Sequence, residues 1–148
     1  SFLSFDTRAH PDGDYQFRVI ATDRPSNPPD RSLVDRNTSE PFTIDNTPPV
    51  IRKVEVVRSD RGFRVVALAE DATSNLGDAR FSVDGGPWLM LPAKDGLIDS
   101  GKETLEVDVA EGTELGAAAP KKGARTILVR IEDEADNSAT ASATFVGR

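Results

Sequence analysis

The most constraining feature of this chain is that apolar residues recur at every second position in nearly every segment. The clearest rows are Phe63, Val65, Ala67 and Ala69; Leu105, Val107 and Val109; Ile127, Val129 and Ile131; and Ala139, Ala141, Ala143 and Phe145. This period is typical of β-strands, in which successive side chains point to opposite faces of a sheet. Helical spacing is almost absent, so the chain is predicted to be all-β.

Seven strands are predicted in the last hundred residues. They cover residues 50–57, 63–70, 79–84, 88–92, 103–109, 125–132 and 138–146. The sequence Asp84-Gly85-Gly86-Pro87 is suited to a tight reversal between two of them. Short, unequal strands separated by turn signals at this interval indicate an antiparallel β-sandwich.

An internal repeat relates the first part of the chain to the last at a constant offset of 110 residues. The matched residues are Gly13, Phe17, Val19, Asp23 and Asn27 against Gly123, Ile127, Val129, Asp133 and Asn137. Repetition of this kind indicates two copies of one structural unit. In the first copy, strands are predicted at 1–5, 15–22 and 41–45, with a long irregular loop over 24–40.

The segment Asp45-Asn46-Thr47-Pro48-Pro49 separates the two copies. Two prolines favour an extended, stiff connector and prevent a strand from continuing. We therefore predict a partial module over 1–46, a connector over 47–49 and a complete sandwich over 50–148. Three strands cannot bury both layers of a sandwich, so we expect the chain to be part of a larger protein. Alternatively, these strands pair edge to edge with the second module or with a neighbouring chain.

Composition excludes several functions. The formal net charge of −7 argues against nucleic-acid binding, and the absence of cysteine excludes disulfides and thiolate metal sites. The single histidine, His10, leaves little material for acid–base catalysis, so no catalytic residue is predicted. No apolar run is long enough for membrane insertion.

Four motifs resemble those of bacterial immunoglobulin-like and fibronectin type III-like modules. They are Asp12-Gly13-Asp14-Tyr15, the connector after Ile44, Ser82-Val83-Asp84-Gly85-Gly86 with Trp88, and Asp133-Glu134-Ala135-Asp136-Asn137. The resemblance implies an immunoglobulin-like antiparallel β-sandwich in tandem, on a secreted, periplasmic or cell-surface protein. It further implies a non-enzymatic spacer or protein-interaction module whose partners are neighbouring domains of the same protein.

Acidic residues in the loops are candidate calcium ligands. In the topology that the resemblance implies, Asp45, Glu70, Asp71, Asp133 and Asp136 gather near the junction of the two modules. Calcium binds six to eight oxygen atoms from such groups, so an interdomain Ca²⁺ is one hypothesis. The favoured interpretation is that these side chains cap turns, because no loop has the ligand spacing of a dedicated calcium loop. No other cofactor is predicted.

Trp88 is the candidate contact for a protein or glycan partner, since tryptophan is a common binding anchor. Burial against the core or an edge is the favoured interpretation, because a lone strand tryptophan is usually buried. An adhesion or carbohydrate-binding module, using Trp88 or the loop 24–40, is therefore the alternative to a spacer.

Overall fold

The computed structural model describes residues 4–110, 113, 115 and 123–147. Within these residues the regular structure is β-strand apart from one 3₁₀ turn, Thr7–Ala9, which confirms the all-β prediction. No helix in the described part of the chain is long and apolar enough to cross a membrane. The chain divides into two compact units, Ser1–Asp45 and Asn46–Arg148.

The first unit is an interrupted antiparallel hairpin. Its strands are β1 (Gly13–Tyr15), β2 (Arg18–Thr22), β3 (Val34–Thr38) and β4 (Phe42–Ile44). β1 pairs with β4, and β2 pairs with β3. The interruption has a local cause: Pro41 has no N–H to donate, and the Ser39 hydroxyl accepts the Phe17 N–H at 2.9 Å in place of a strand carbonyl.

Two predictions for this unit need correction. The segment 24–40 was predicted to be irregular, but it contains β3, whose residues pair one by one with those of β2. A strand was also predicted over 1–5; residues 1–3 lie outside the described part, and Ser4 and Phe5 are not in a strand.

Aromatic side chains pack together at the base of the hairpin. The rings of Phe5 and Phe17 lie 4.8 Å apart edge to face, and Phe17 and Phe42 stack at 4.9 Å. The His10 ring forms T-shaped pairs with those of Phe5 and Tyr15, at centroid distances of 5.8 and 5.9 Å. Such pairs add stability beyond the area they bury, and here they give a small unit an apolar centre.

The second unit contains two antiparallel sheets. Its strands are β5 (Val50–Ser59), β6 (Gly62–Glu70), β7 (Leu76–Val83), β8 (Leu89–Met90), β9 (Lys102–Ala110), β10 (Gly123–Asp133) and β11 (Ser138–Gly147). One sheet has the order β5-β6-β9, and the other has the order β11-β10-β7-β8. All seven predicted strands are present, and the paired sheets are consistent with a β-sandwich.

The core of this unit is built from the alternate residues that the sequence predicted to face inward. β6 contributes Phe63, Val65, Ala67 and Ala69, and β10 contributes Ile127, Val129 and Ile131. These side chains are 9% exposed or less and belong to one cluster with inner residues of β7 and β9. Burial of apolar area on this scale is the main favourable term in folding.

The turn between β7 and β8 has the conformation that its sequence predicts. Asp84 and Gly85 have φ values of 52° and 75°, and the Gly86 N–H donates to the Val83 carbonyl at 2.9 Å. Two positive φ values are typical of the tight turns that match the twist of paired strands. The Asp84 carboxylate also accepts a 2.8 Å bond from Arg125 Nε.

Candidate functional site

The loop between β10 and β11 is organised by the carboxylate of Asp133, which is 3% exposed. Asp133 Oδ1 accepts the N–H groups of Ala135 and Asn137, each at 2.9 Å, and Oδ2 accepts Asn137 Nδ2 at 3.0 Å. The side chain therefore satisfies three donors of its own loop, as aspartate commonly does in turns.

The same interaction occurs at the repeated position in the first unit. Asn27 Nδ2 donates to Asp23 Oδ2 at 2.8 Å, and Asp23 Oδ1 accepts the N–H of Leu33 at 2.7 Å. The first glycine of each copy also has a similar backbone angle, since Gly13 and Gly123 have φ values of 143° and 128°. The two segments therefore share a positive φ at the glycine and one Asp–Asn side-chain hydrogen bond.

Asp71 follows β6 and organises the next loop in a similar way. Its Oδ1 accepts the N–H groups of Thr73 and Ser74 at 2.8 and 3.0 Å. Carboxylate oxygens of Asp71 and Asp133 lie within 4.8 Å of each other. The structure therefore brings together two of the predicted calcium ligands.

Two other predicted ligands, Glu70 and Asp136, are placed differently. The Glu70 carboxylate accepts bonds from Arg52 Nε and Nη2 at 2.8 and 2.6 Å and pairs with Lys102 Nζ at 3.0 Å. The bonds from Arg52 first, and then Lys102, lower the pKa of Glu70. Asp136 is an exposed turn residue with a φ of 66°, and Asp45 is the last residue of the first unit.

Asp71 and Asp133 therefore accept hydrogen bonds within their own loops, and Glu70 pairs with cations. The calcium hypothesis stays a prediction.

The outer face of the four-stranded sheet carries a shallow groove of about 280 Å³, which we call the Trp88 groove. It is lined by Asp78, Arg80, Trp88, Arg130 and Glu132. Trp88 is 41% exposed, so the preference for a buried tryptophan was wrong. The residue stands just before the edge strand β8, two positions from Met90, which pairs with Arg80 on the outer face.

The register of β7 and β10 sets the charges in this groove. Arg80 lies opposite Arg130, and Asp78 lies opposite Glu132. The ion pairs run along each strand instead: Arg80 Nε donates to Asp78 Oδ2 at 2.7 Å, and Arg130 pairs with Glu132. The bond to Asp78 raises the pKa of Arg80.

The sequence pattern predicted Trp88 as a partner contact but did not indicate the four charged residues beside it. Each occupies an outward position of an alternating strand, which is the signal that the sequence offers. Asp78 lay outside the predicted strand 79–84, and the sequence contains no information on which residues of two distant strands face each other.

Comparisons of the chain with models of protein families, with curated proteins and with solved structures found no match.

Proposed function

We propose that this chain is a non-enzymatic pair of immunoglobulin-like β-modules, partial in the first unit and complete in the second. Its role is that of a structural spacer or protein-interaction segment in a larger exported bacterial protein. The observation that carries the proposal is the repeated Asp–Asn loop bond, made at Asp23 and Asn27 and again at Asp133 and Asn137. Self-similarity at a fixed offset is the sequence signature of repeated structural units, and an array of such units can act as a spacer.

The strand order of the second unit supports the immunoglobulin-like assignment. In the seven-stranded form of such sandwiches the first, second, fourth and fifth strands share one sheet, and the third, sixth and seventh share the other. Here β5, β6 and β9 form one sheet and β7, β10 and β11 lie in the other; the fourth strand, β8, departs from that form by lying at the edge of the second sheet. The location outside the cytoplasm rests on the resemblance of the motifs alone.

A spacer needs a stiff joint, and Pro48 and Pro49 supply one in this proposal. The chain has no cysteine of its own, so spin labels attach only at the two cysteines that are introduced. Labels at Leu33→Cys in the first unit and Val57→Cys in the second replace exposed side chains. Pulsed electron–electron double resonance would then give the distribution of distances between the two spin labels, one in each unit.

We expect a narrow distribution in the native connector and a much broader one after Pro48→Gly and Pro49→Gly. A label pair at Val57→Cys and Met90→Cys, both in the second unit, is the control and should be unaffected by the glycines. A native distribution as broad as that of the glycine variant would contradict the spacer role.

The second candidate function is an adhesion or carbohydrate-binding module. The specific observation in its favour is that Trp88 is exposed in a groove rather than packed in the core. Exposed tryptophan beside arginine is a combination enriched in binding sites.

A further inference from the structure

The charged residues of the Trp88 groove are arranged in a way that lowers the stability of the four-stranded sheet. On the outer face of the three-stranded sheet, opposite charges face each other across neighbouring strands. Arg64 lies opposite Asp108, and Glu70 lies opposite Lys102. In the groove, like charges face each other across β7 and β10. Like charges directly opposite each other destabilise a sheet. Local violations of this kind are expected where a surface serves binding rather than stability.

The groove as a whole is electrically balanced, because two guanidinium groups offset two carboxylates. A ligand with a net charge would meet groups of its own sign within the groove as well as groups of the opposite sign. A neutral ligand meets no such repulsion, and it must exchange hydrogen bonds with both kinds of group.

Hydroxyl groups satisfy that requirement, since each can donate one hydrogen bond and accept two. Arg80 and Arg130 offer donors, and Asp78 and Glu132 offer acceptors. The bond from Arg80 Nε to Asp78 engages one of the five N–H groups that a guanidinium carries. All four side chains are between 31% and 56% exposed, so solvent reaches them.

Trp88 supplies the apolar part of the groove. An indole ring offers a large, rigid face with little conformational entropy to lose on binding. A ligand that presents a flat set of C–H groups on one side and hydroxyls around its edge matches this combination. The volume of about 280 Å³ lies just below the range of about 300–1,000 Å³ that is typical of small-molecule sites, so the groove has room for a single small unit of a ligand.

We propose that the Trp88 groove binds an uncharged sugar unit of a polysaccharide, with the ring stacked on Trp88 and its hydroxyls bonded to the paired charges. This inference rests on the second candidate function and gives it a ligand class. It does not depend on the stiffness of the connector, which the spin-label experiment measures separately.

The chain contains one tryptophan, so its fluorescence reports on this groove directly. The full chain would be titrated with soluble xylan, mixed-linkage β-glucan and galactomannan, and in parallel with polygalacturonate and heparin as acidic probes. We expect at least one neutral polysaccharide to shift the emission of Trp88 to shorter wavelength and to protect it from quenching by iodide. The acidic probes should have no effect.

Variants locate the site. We expect Glu132→Gln and Arg130→Gln to weaken binding about tenfold or more, as loss of a charged hydrogen-bonding partner does. Trp88→Ala should abolish binding in affinity gel electrophoresis, which needs no fluorescence. Val57→Ala, an exposed position on the other sheet, is the matched control and should bind as the native chain does.

The outcomes separate the hypotheses. A response of Trp88 to the acidic probes alone would overturn the neutral ligand class while leaving a glycan-binding role standing. No response to any of the five polysaccharides, with native circular dichroism, would overturn both the ligand class and the carbohydrate-binding role. Binding that survives Trp88→Ala would overturn the assignment to this groove.

Discussion

Individual acidic residues in this protein stabilise loops through hydrogen bonds. Asp133 satisfies three loop donors, Asp71 satisfies two, and Glu103 accepts bonds from Asp99 and Ser100. A buried donor that loses its acceptor carries a desolvation cost, so the removal of such a carboxylate costs more than the bond itself is worth. Some of the acidic residues that give the chain its negative charge therefore stabilise its loops.

We expect Asp133→Ala to lower the free energy of unfolding of the second unit by about 2–4 kcal/mol, because three donors lose their acceptor at a buried site. Urea unfolding followed by Trp88 fluorescence measures this change. Glu134→Ala, an exposed acidic neighbour, is the matched control and should change stability by less than about 0.5 kcal/mol. Equal effects of the two substitutions would contradict the structural role of Asp133.

Position 86 requires glycine because a larger side chain would not fit there, and not because of its backbone angles. A Cβ at this position would lie 2.2 Å from the Leu115 carbonyl oxygen, a backbone atom that can move only with its chain. We expect Gly86→Ala to destabilise the second unit by about 1–3 kcal/mol, as overpacking does. Gly85 has a positive φ and open space around its Cβ position, so Gly85→Asn should be tolerated. Similar urea midpoints for the two variants would contradict the steric argument.

At the scale of strands, the three-stranded sheet is supported by ion pairs on its outer face. The register of β6 and β9 places Glu70 opposite Lys102, and Arg52 reaches Glu70 from the irregular position in β5. Arg64 and Asp108 form a bidentate pair, which lowers the pKa of Asp108 and raises that of Arg64.

The lowered pKa of Glu70 predicts how its contribution depends on pH. A carboxyl whose pKa is lower in the folded state stabilises the fold above its ordinary pKa, and this contribution disappears as the pH falls through the folded value. We expect Glu70→Gln to be less stable than the native chain at pH 7, with the difference shrinking under acidic conditions. Urea unfolding at a series of pH values tests this expectation.

Arg52→Gln provides the reciprocal control, because it removes the largest cause of the lowered pKa of Glu70. In the Arg52→Gln background the effect of Glu70→Gln should be smaller at pH 7 and less dependent on pH. A stability gap between the native chain and Glu70→Gln that is constant from neutral to strongly acidic pH would contradict the ion-pair account.

How far the sequence predicts these elements depends on whether a strand is defined by its own residues or by its partner. β6, β9 and β10 are recognisable because each alternates apolar and polar residues against a core. β3 has the sequence Val-Asp-Arg-Asn-Thr and no such alternation, and all five residues are exposed. It is a strand because β2 offers it hydrogen bonds, which is a non-local property that pattern analysis cannot supply.

The same distinction applies to the candidate sites. Asp71 and Asp133 were predicted to approach each other because their loops lie at one end of the expected topology, and the structure places them together. Trp88 was expected to be buried because of the general preference of its residue type. Its position just before a two-residue edge strand leaves it exposed, and edge positions depend on the length of neighbouring strands.

In the molecule as a whole, the two sheets of the second unit enclose one shared core. The described core residues of β6 belong to one sheet and those of β10 to the other, yet they form a single cluster. The proposed spacer role and the Trp88 groove both depend on this arrangement, because it decides which residues face inward and which face solvent.

Methyl-resolved nuclear Overhauser measurements on the full chain test this arrangement of the two sheets. We expect cross-peaks between the methyl groups of Val65 and Ala67 in β6 and those of Ile127, Val129 and Ile131 in β10, and none from these groups to Met90 on the outer face. Absence of contacts between the two sets of methyl groups, in a chain with native circular dichroism, would contradict the two-layer fold.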